Sequence, residues 1–400
     1  MKFIHLSDLH IGKSLGPFRL LEDQKFILDQ ITDIIKSERP HAVLISGDIY
    51  DRGVPPIEAV ELLNKFIENL SQIKSADNQN MQTFIISGNH DSSERLAFCR
   101  SLISQQGIHF SPVYNGNIKP FMLNDEYGEV FVYMLPYIKP MNVRESLKDY
   151  YLKNNLEIDS DCINKISSYT DAVQKAIELM RIDTSKRNVL LSHQSVGTPI
   201  FCDSETVNIG GSPSVDPEAY KDFNYVALGH IHTPQYVDSN NNPQNVLYYS
   251  GTPLKYSFSE EHVNKSVAVV DIDCSGNVSV KKIPLNPLHD LRTISKSFDE
   301  IMTDEPKSDD YVSIILSDDS VSSYYYDELC SKFSRIVNYD TRNSYKPVDN
   351  KIGTDIEENQ SELDIFSGFF EIMNERPMND EEFQYMSSLI EDIISQNAQN

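Results

Sequence analysis

Cysteine is scarce and unpaired in this 400-residue chain. Cys99, Cys162, Cys202, Cys274 and Cys330 are odd in number, scattered, and never spaced as Cys-x-x-Cys. That excludes a disulfide framework and a zinc ribbon, and predicts a reduced intracellular protein. No run approaches the roughly 18 apolar residues of a membrane span. The opening Met1-Lys2-Phe3-Ile4-His5-Leu6-Ser7-Asp8 is too short and too polar for a secretory leader, so we expect a cytoplasmic protein with no membrane partner. Long low-complexity tracts are also absent. Positive charge is in short supply: 35 Lys and Arg face 60 Asp and Glu, a net charge of −25. This argues against autonomous, tight DNA binding, which needs cations on phosphates. The deficit is uneven, however. Residues 347–400 hold thirteen acids against Lys351 and Arg376, and divalent ions bound elsewhere would invert the field around other carboxylates.

The length suggests two or three domains, and 40% hydrophobic residues allow a sizeable core. What fills the first 290 residues is a series of short apolar runs that end in metal-ligand residue types. Residues 2–7 lead to Asp8-Leu9-His10. His41–Ser46 leads to Gly47-Asp48-Ile49-Tyr50-Asp51, and Thr83–Ser87 to Gly88-Asn89-His90-Asp91. Asn188–Ser192 delivers His193, and Tyr225–Leu228 delivers Gly229-His230-Ile231-His232. Between them, helical spacing over residues 20–37, after Pro55-Pro56 to Leu70, over 92–103 and over 172–181 predicts helices. Alternating strands and helices imply a parallel α/β sheet, whose ligands gather at the carboxyl ends of strands. Side chains two apart on a strand share a face, so Asp8 with His10, and His230 with His232, are expected to converge. Residues 246–283 read as strands completing a second sheet, with a turn at Ser275-Gly276-Asn277.

The tail is different. Residues 344–360 are polar and read as a linker. An apolar stripe then runs from Leu363 to Met373 and, after an N-cap in Asn379-Asp380-Glu381-Glu382, from Phe383 to Ile393. Either a partner or the tail's own domain covers that stripe.

A tetrapeptide such as Gly-Asn-His-Asp is ordinary turn material by itself. Five strand ends all finishing in Asp, Asn or His are not. Asp8, His10, Asp48, Asn89, His193, His230 and His232 are the candidate ligands. Mixed imidazole and carboxylate donors suit manganese, iron or zinc. Seven donors exceed what one ion needs and predict two ions sharing Asp48, an arrangement that clamps an in-line displacement at phosphorus. His90 is expected to face the substrate and to protonate or stabilise the leaving oxygen, with Asp91 accepting from its second ring nitrogen.

Taken in order, Asp-x-His, Gly-Asp-x-x-Asp, Gly-Asn-His-Asp, a single His and Gly-His-x-His resemble the calcineurin-like metallophosphoesterase superfamily. The resemblance implies a four-layer α/β/β/α sandwich. One ion would be held by Asp8, His10, Asp48 and His232, the other by Asp48, Asn89, His193 and His230. The opening residues 3–12, Gly47–Asp51 with Pro55-Pro56, Gly88–Ser92, Tyr249-Ser250-Gly251-Thr252-Pro253 and Arg376-Pro377-Met378 further resemble the SbcCD-type nuclease family of double-strand-break repair. That implies a nuclease domain over 1–288, a small α/β DNA-capping domain over 289–343, the linker over 344–360, and a helical tail over 361–400. The tail would dock on an SbcC-like, SMC-type ATPase. It also implies two manganese ions per chain with magnesium as a substitute, ATP acting only through the partner, and a homodimer formed by helices near 57–70 and 92–104. The implied activity is ATP-dependent double-strand exonuclease, single-strand endonuclease and hairpin opening in DNA repair, recombination and replication. Gly-Asp-x-x-Asp-Arg-Gly over residues 47–53 is also a protein-phosphatase pattern, so a phosphomonoesterase acting on protein or a nucleotide is the second reading. A non-catalytic scaffold is the third.

Overall fold

The computed structural model describes residues 1–341 apart from 97–99, 112, 155–158, 206–213, 238–241 and 319–322. Beyond 341 it describes 367, 370, 376, 378, 379 and 382–387. The chain divides into two units, Met1–Ser344 and Tyr345–Asn400. In chain order the first strands are β1 (Lys2–Leu6), the small hairpin β2 and β3 (Ser14–Leu15, Phe18–Arg19), β4 (Ala42–Ser46), β5 (Gln82–Ile86) and β6 (Ile108–Ser111). β7 (Phe121–Asp125), β8 (Gly128–Leu135), β9 (Arg187–His193), β10 (Tyr225–Gly229), β11 (Gln235–Tyr236) and β12 (Val246–Tyr249) follow. β13 (Ser266–Ile272), β14 (Val278–Pro284), β15 (Leu291–Lys296), β16 (Ser308–Leu316) and β17 (Phe333–Thr341) complete the set.

Two six-stranded sheets result, ordered β14-β13-β1-β4-β5-β6 and β11-β12-β10-β9-β8-β7. In the first, β1, β4, β5 and β6 are parallel. In the second, β8, β9, β10 and β12 are parallel, with antiparallel edges. The strands alternate between two buried faces. Ala42 and Leu44 of β4 meet Val132, Leu191 and Tyr248 in the core between the sheets. Val43 and Ile45 pack outward against α1 (Leu21–Glu38) and α2 (Ile57–Ser71) through Ile27, Ile31, Leu63 and Phe66. Helices Pro140–Lys153 and Tyr169–Met180 cover the second sheet through Val143, Val173 and Ala176. This is the expected four-layer α/β/β/α sandwich. Burial on both faces is why its strands read as unbroken apolar runs rather than alternation.

Residues 246–283 do not all join the second sheet. Val246–Tyr249 does, but Ser266–Ile272 pairs antiparallel with β1 and draws β14 into the first sheet. The helix expected over 92–103 is described as Ser93–Leu96 and Arg100–Ile103, with 97–99 outside the described residues. Helix 140–153 escapes the sequence because only Val143 and Leu147 of it are buried.

After Leu291 a parallel three-stranded sheet, β15-β16-β17, carries helices Phe298–Asp304 and Ser323–Lys332 around Ile301, Val312, Ile314 and Phe333. It is tied to α1 by Asp23, whose carboxylate accepts from Tyr311 Oη at 2.8 Å and lies 2.9 Å from His289 Nδ1. The expected linker, 344–360, lies outside the described residues. In the tail, Asn379 Oδ1 accepts from the Glu382 N–H at 2.9 Å, and a Glu382 carboxylate oxygen accepts from the Asn379 N–H at 2.9 Å. The sequence predicts the N-cap; the return bond from Glu382 makes it reciprocal.

His5 on β1 is fully buried between the sheets, its Nδ1 2.8 Å from Tyr225 Oη on β10. Burial pulls it down from 6.5 to about 3. Below pH 6.5 the unfolded chain takes up a proton that the folded chain refuses, so this residue's share of stability is present above 6.5 and lost as pH falls. In metal-free protein, His5→Gln should flatten the dependence of denaturation free energy on pH between 6 and 4 by about 1.4 kcal/mol per pH unit. An unchanged slope in urea titrations would refute the linkage.

Candidate metal centre

Asp8, Asp48, Asn89 and the His230/His232 pair follow the carboxyl ends of parallel strands β1, β4, β5 and β10 respectively, and His193 is the last residue of β9. The structure brings all seven candidates together. Asp8, His10, Asp48, His193 and His232 are buried, His230 is half-buried and Asn89 is exposed. Convergence does not come from strand alternation, as the sequence suggests. β1 ends at Leu6, and Asp8, His10 and Asp48 stand at φ 52°, 43° and 48°, with His230 at 96°. Left-handed backbone turns each side chain into the cleft. Asp and His tolerate that region better than most residues, and such strain gathers at functional sites.

The network is explicit. Asp48 Oδ1 accepts from the His90 N–H at 2.9 Å. Its Oδ2 lies 3.4 Å from His193 Nε2 and 3.7 Å from His10 Nε2. His193 Nδ1 donates to the Ser46 carbonyl at 2.7 Å, which aims Nε2 at Asn89 Oδ1, 3.1 Å away. Asn89 Oδ1 also meets His230 Nδ1 at 3.0 Å, and the His230 N–H donates to Asp8 at 3.0 and 3.2 Å. His10 and His232 bring their Nε2 atoms to 3.2 Å.

Gly88 makes room for this. A Cβ there would overlap the Asp48 carboxylate and its backbone nitrogen. Close approach, not a sharp turn, is what calls for glycine at this position.

Burial raises Asp8 to about 8. It lowers His10 to about 4 and His230 to about 3, and lowers His232 well below its ordinary value. Burial also opposes charge on Asp48, but His193 more than offsets this and holds the carboxyl well below the usual range. For His193 burial acts downward, and Asp48 reverses it, raising the imidazole to about 9.

The donors fit divalent cations. Asp8, His10 and His232 offer ligand atoms within 4.8 Å of one another, and so do Asp8, Asp48 and His193. These two groups share Asp8, while Asp48 Oδ2 reaches toward both His10 and His193. Two neutral imidazoles facing each other through Nε2, beside two buried carboxylates, concentrate lone pairs in one place. The buried His10 Nδ1 finds no hydrogen bond among the described residues. Cations satisfy such a set, and its nitrogen and oxygen donors suit borderline or hard divalent metals.

One expected contact is replaced. Asp91 does not hold His90. Its carboxylate accepts from the N–H groups of Ile49, Tyr50 and Gly88 at 3.1, 3.0 and 2.9 Å, clasping the loops after β4 and β5 together. Burial raises Asp91 to about 6. His90 Nδ1 instead donates to the Asp51 carbonyl at 2.9 Å, and its ring lies edge-on to His10 with centroids 5.0 Å apart. A backbone carbonyl carries no sequence signal. Tyr137, just past β8, is also missed by sequence reasoning; its ring stacks over His230 with centroids 6.4 Å apart.

A family model described as calcineurin-like phosphoesterase matches residues 1–234. The chain is 31% identical over 309 residues to the D subunit of the nuclease SbcCD of Staphylococcus epidermidis, covering 77% of this chain and 75% of that protein. It is 31% identical over 306 residues to the same protein of Staphylococcus saprophyticus, covering 76% and 74%. Among solved structures, the phosphopantetheinyl hydrolase of Mycobacterium tuberculosis aligns at TM-score 0.34 and 12% identity over 65% of this chain and 92% of that one. A dimetal phosphatase of Danio rerio aligns at TM-score 0.37 and 10% identity, covering 72% and 98%.

Replacing Gly88 by alanine should cost about 1–3 kcal/mol through overpacking and weaken divalent-cation binding by displacing Asp48. Thermal melts and calorimetric titration check this. Unchanged melting and affinity would show that the loops yield freely.

Proposed function

We propose, from the premise that the chain belongs to the calcineurin-like phosphoesterase family and, within it, to the SbcD nucleases, that it hydrolyses DNA phosphodiesters as the nuclease component of an SbcCD-type complex. The observation that carries this reading is the convergence of seven donors and His90 at one end of two facing sheets. Two manganese ions, or magnesium in their place, would be held by Asp8, His10, Asp48 and His232 and by Asp48, Asn89, His193 and His230. Bound there, they supply charge compensation at phosphorus and hydroxide near neutral pH.

The chain's own residues do the rest. Donation from His90 Nδ1 to the Asp51 carbonyl fixes the ring; in its doubly protonated form the ring would present Nε2–H to the leaving oxygen and protonate or stabilise it, ending as the neutral Nδ1–H imidazole. Asp48 anchors the His90 backbone through Oδ1. Asp91 holds the two loops in register, so its role is positional.

Substrate and partners follow from the family. The substrate is DNA, processed in repair, recombination and replication, with the small sheet after Leu291 as a cap over it. An SbcC-like, SMC-type ATPase would receive the tail, whose Phe383 and Tyr385 are exposed, and would bring ATP and much of the phosphate-binding surface. Exposed Ile57 and Val60 on α2, with Leu102, support a homodimer contact. No helix among the described residues is long and apolar enough to cross a membrane.

The test is cleavage of circular single-stranded DNA with manganese by the purified chain, beside Asp48→Ala and His90→Gln. Cutting is expected from the parent and none from Asp48→Ala. His90→Gln should keep its metal while losing about 100- to 10,000-fold in rate. Fast hydrolysis of a phosphate monoester with an intact circle would favour the phosphomonoesterase reading. Undiminished cutting by His90→Gln would sink the role given to that residue.

A further inference from the structure

His232 is gripped at three points by residues distant in sequence. Its N–H donates to Glu205 Oε1, its carbonyl accepts from Lys265 Nζ at 2.9 Å, and its ring Nδ1 lies 2.7 Å from Ser204 Oγ. Ser204 Oγ is in turn 2.7 Å from Glu260 Oε1 and 3.1 Å from Cys202 Sγ. Glu260 is fully buried, and its second oxygen is paired with the buried Lys265 ammonium. Lys265 also donates to Thr252 Oγ1 at 2.7 Å.

A hydroxyl has one proton to give and two lone pairs to offer. The paired Glu260 carboxylate can only accept, so it takes the Ser204 proton. Both Ser204 lone pairs are then left for donors. One donor is the Cys202 thiol, 3.1 Å away. The other must be His232 Nδ1–H. The hydrogen bond at one ring nitrogen decides where the proton of a neutral imidazole sits. The His232 lone pair is therefore on Nε2, the atom that faces His10 Nε2 at 3.2 Å, and His232 with His10 and Asp8 forms one of the groups able to hold a cation.

We propose that Ser204, fixed by Glu260 and Lys265, is a positioning residue that sets the tautomer and aim of His232. This rests on reading His232 as a metal ligand. Partners of this kind orient metal-binding histidines, and losing one typically weakens metal binding about 10- to 100-fold.

Two measurements test it: manganese titration by calorimetry, and imidazole 15N NMR of the metal-free full chain, on the parent, Ser204→Ala, Ser204→Thr and His232→Ala. Ser204→Ala should bind one of the two ions about 10- to 100-fold more weakly. Ser204→Thr, which keeps the hydroxyl, should stay within a few-fold of the parent. The parent His232 should show a protonated Nδ1, and Ser204→Ala a mixture of tautomers. Parental affinity in Ser204→Ala, with an ion lost in His232→Ala, would overturn the proposal while sparing the ligand assignment. Both ions retained in His232→Ala would remove the assignment and the proposal together. A proton on Nε2 in the parent protein overturns it even if Ser204→Ala fails to fold.

Discussion

Asp48 is the charge around which both sheets are arranged. It follows β4 of the first sheet, yet its Oδ2 faces His193 at the end of β9 in the second. Its other oxygen fixes the backbone of His90 on the loop after β5. A carboxylate buried this deeply stays charged only with compensation close at hand. His193 supplies part of it from the opposite layer, so the two sheets cannot shift at this end without exposing an uncompensated charge.

The same end of the sandwich is stitched by neutral contacts. Ser46 Oγ donates to the Ala227 carbonyl at 2.8 Å, while the Ser46 carbonyl receives His193 Nδ1. Gly229 lets β10 come so near that a Cβ would overlap the Ser46 carbonyl oxygen. Further down, the layer of Phe3, Leu44, Phe84, Val132, Leu191 and Tyr248 keeps the sheets apart at side-chain distance. The sheets are thus spaced by large apolar groups at one level and nearly touch through glycine and serine at the ligand level. That close approach brings Asp48 of the first sheet within 3.4 Å of His193 of the second.

Much of this was legible in the sequence. Parallel strands buried on both faces give unbroken apolar runs, and parallel topology puts every functional loop at the same end. Reading the one or two residues after each run therefore picked out Asp8, Asp48, Asn89, His193 and His230 without knowledge of the third dimension. What remained hidden depends on pairing or on backbone groups. Ser266–Ile272 reads as a strand, but nothing in its letters says that it pairs with β1 rather than β12. Asp91 has the right chemistry to hold His90, yet three N–H groups nearer to it claim its oxygens. Ser204, Glu260 and Lys265 lie in stretches with no period at all, and only the fold brings them behind His232.

The backbone at four of the converging residues is strained. Asp8, His10, Asp48 and His230 all hold positive φ, and for residues other than glycine such conformations cost roughly 1–3 kcal/mol each. Burial adds to that cost: it pushes Asp8 toward its neutral form and keeps the His10 and His232 rings neutral. The layers of the sandwich must supply the stability that this end consumes. Cations would relieve the crowded lone pairs without moving the backbone, because the left-handed turns have already aimed the donors. Rigid layers, glycine contacts and strained ligand turns therefore serve a single outcome, a donor cluster held open in a conformation that would collapse on a softer scaffold.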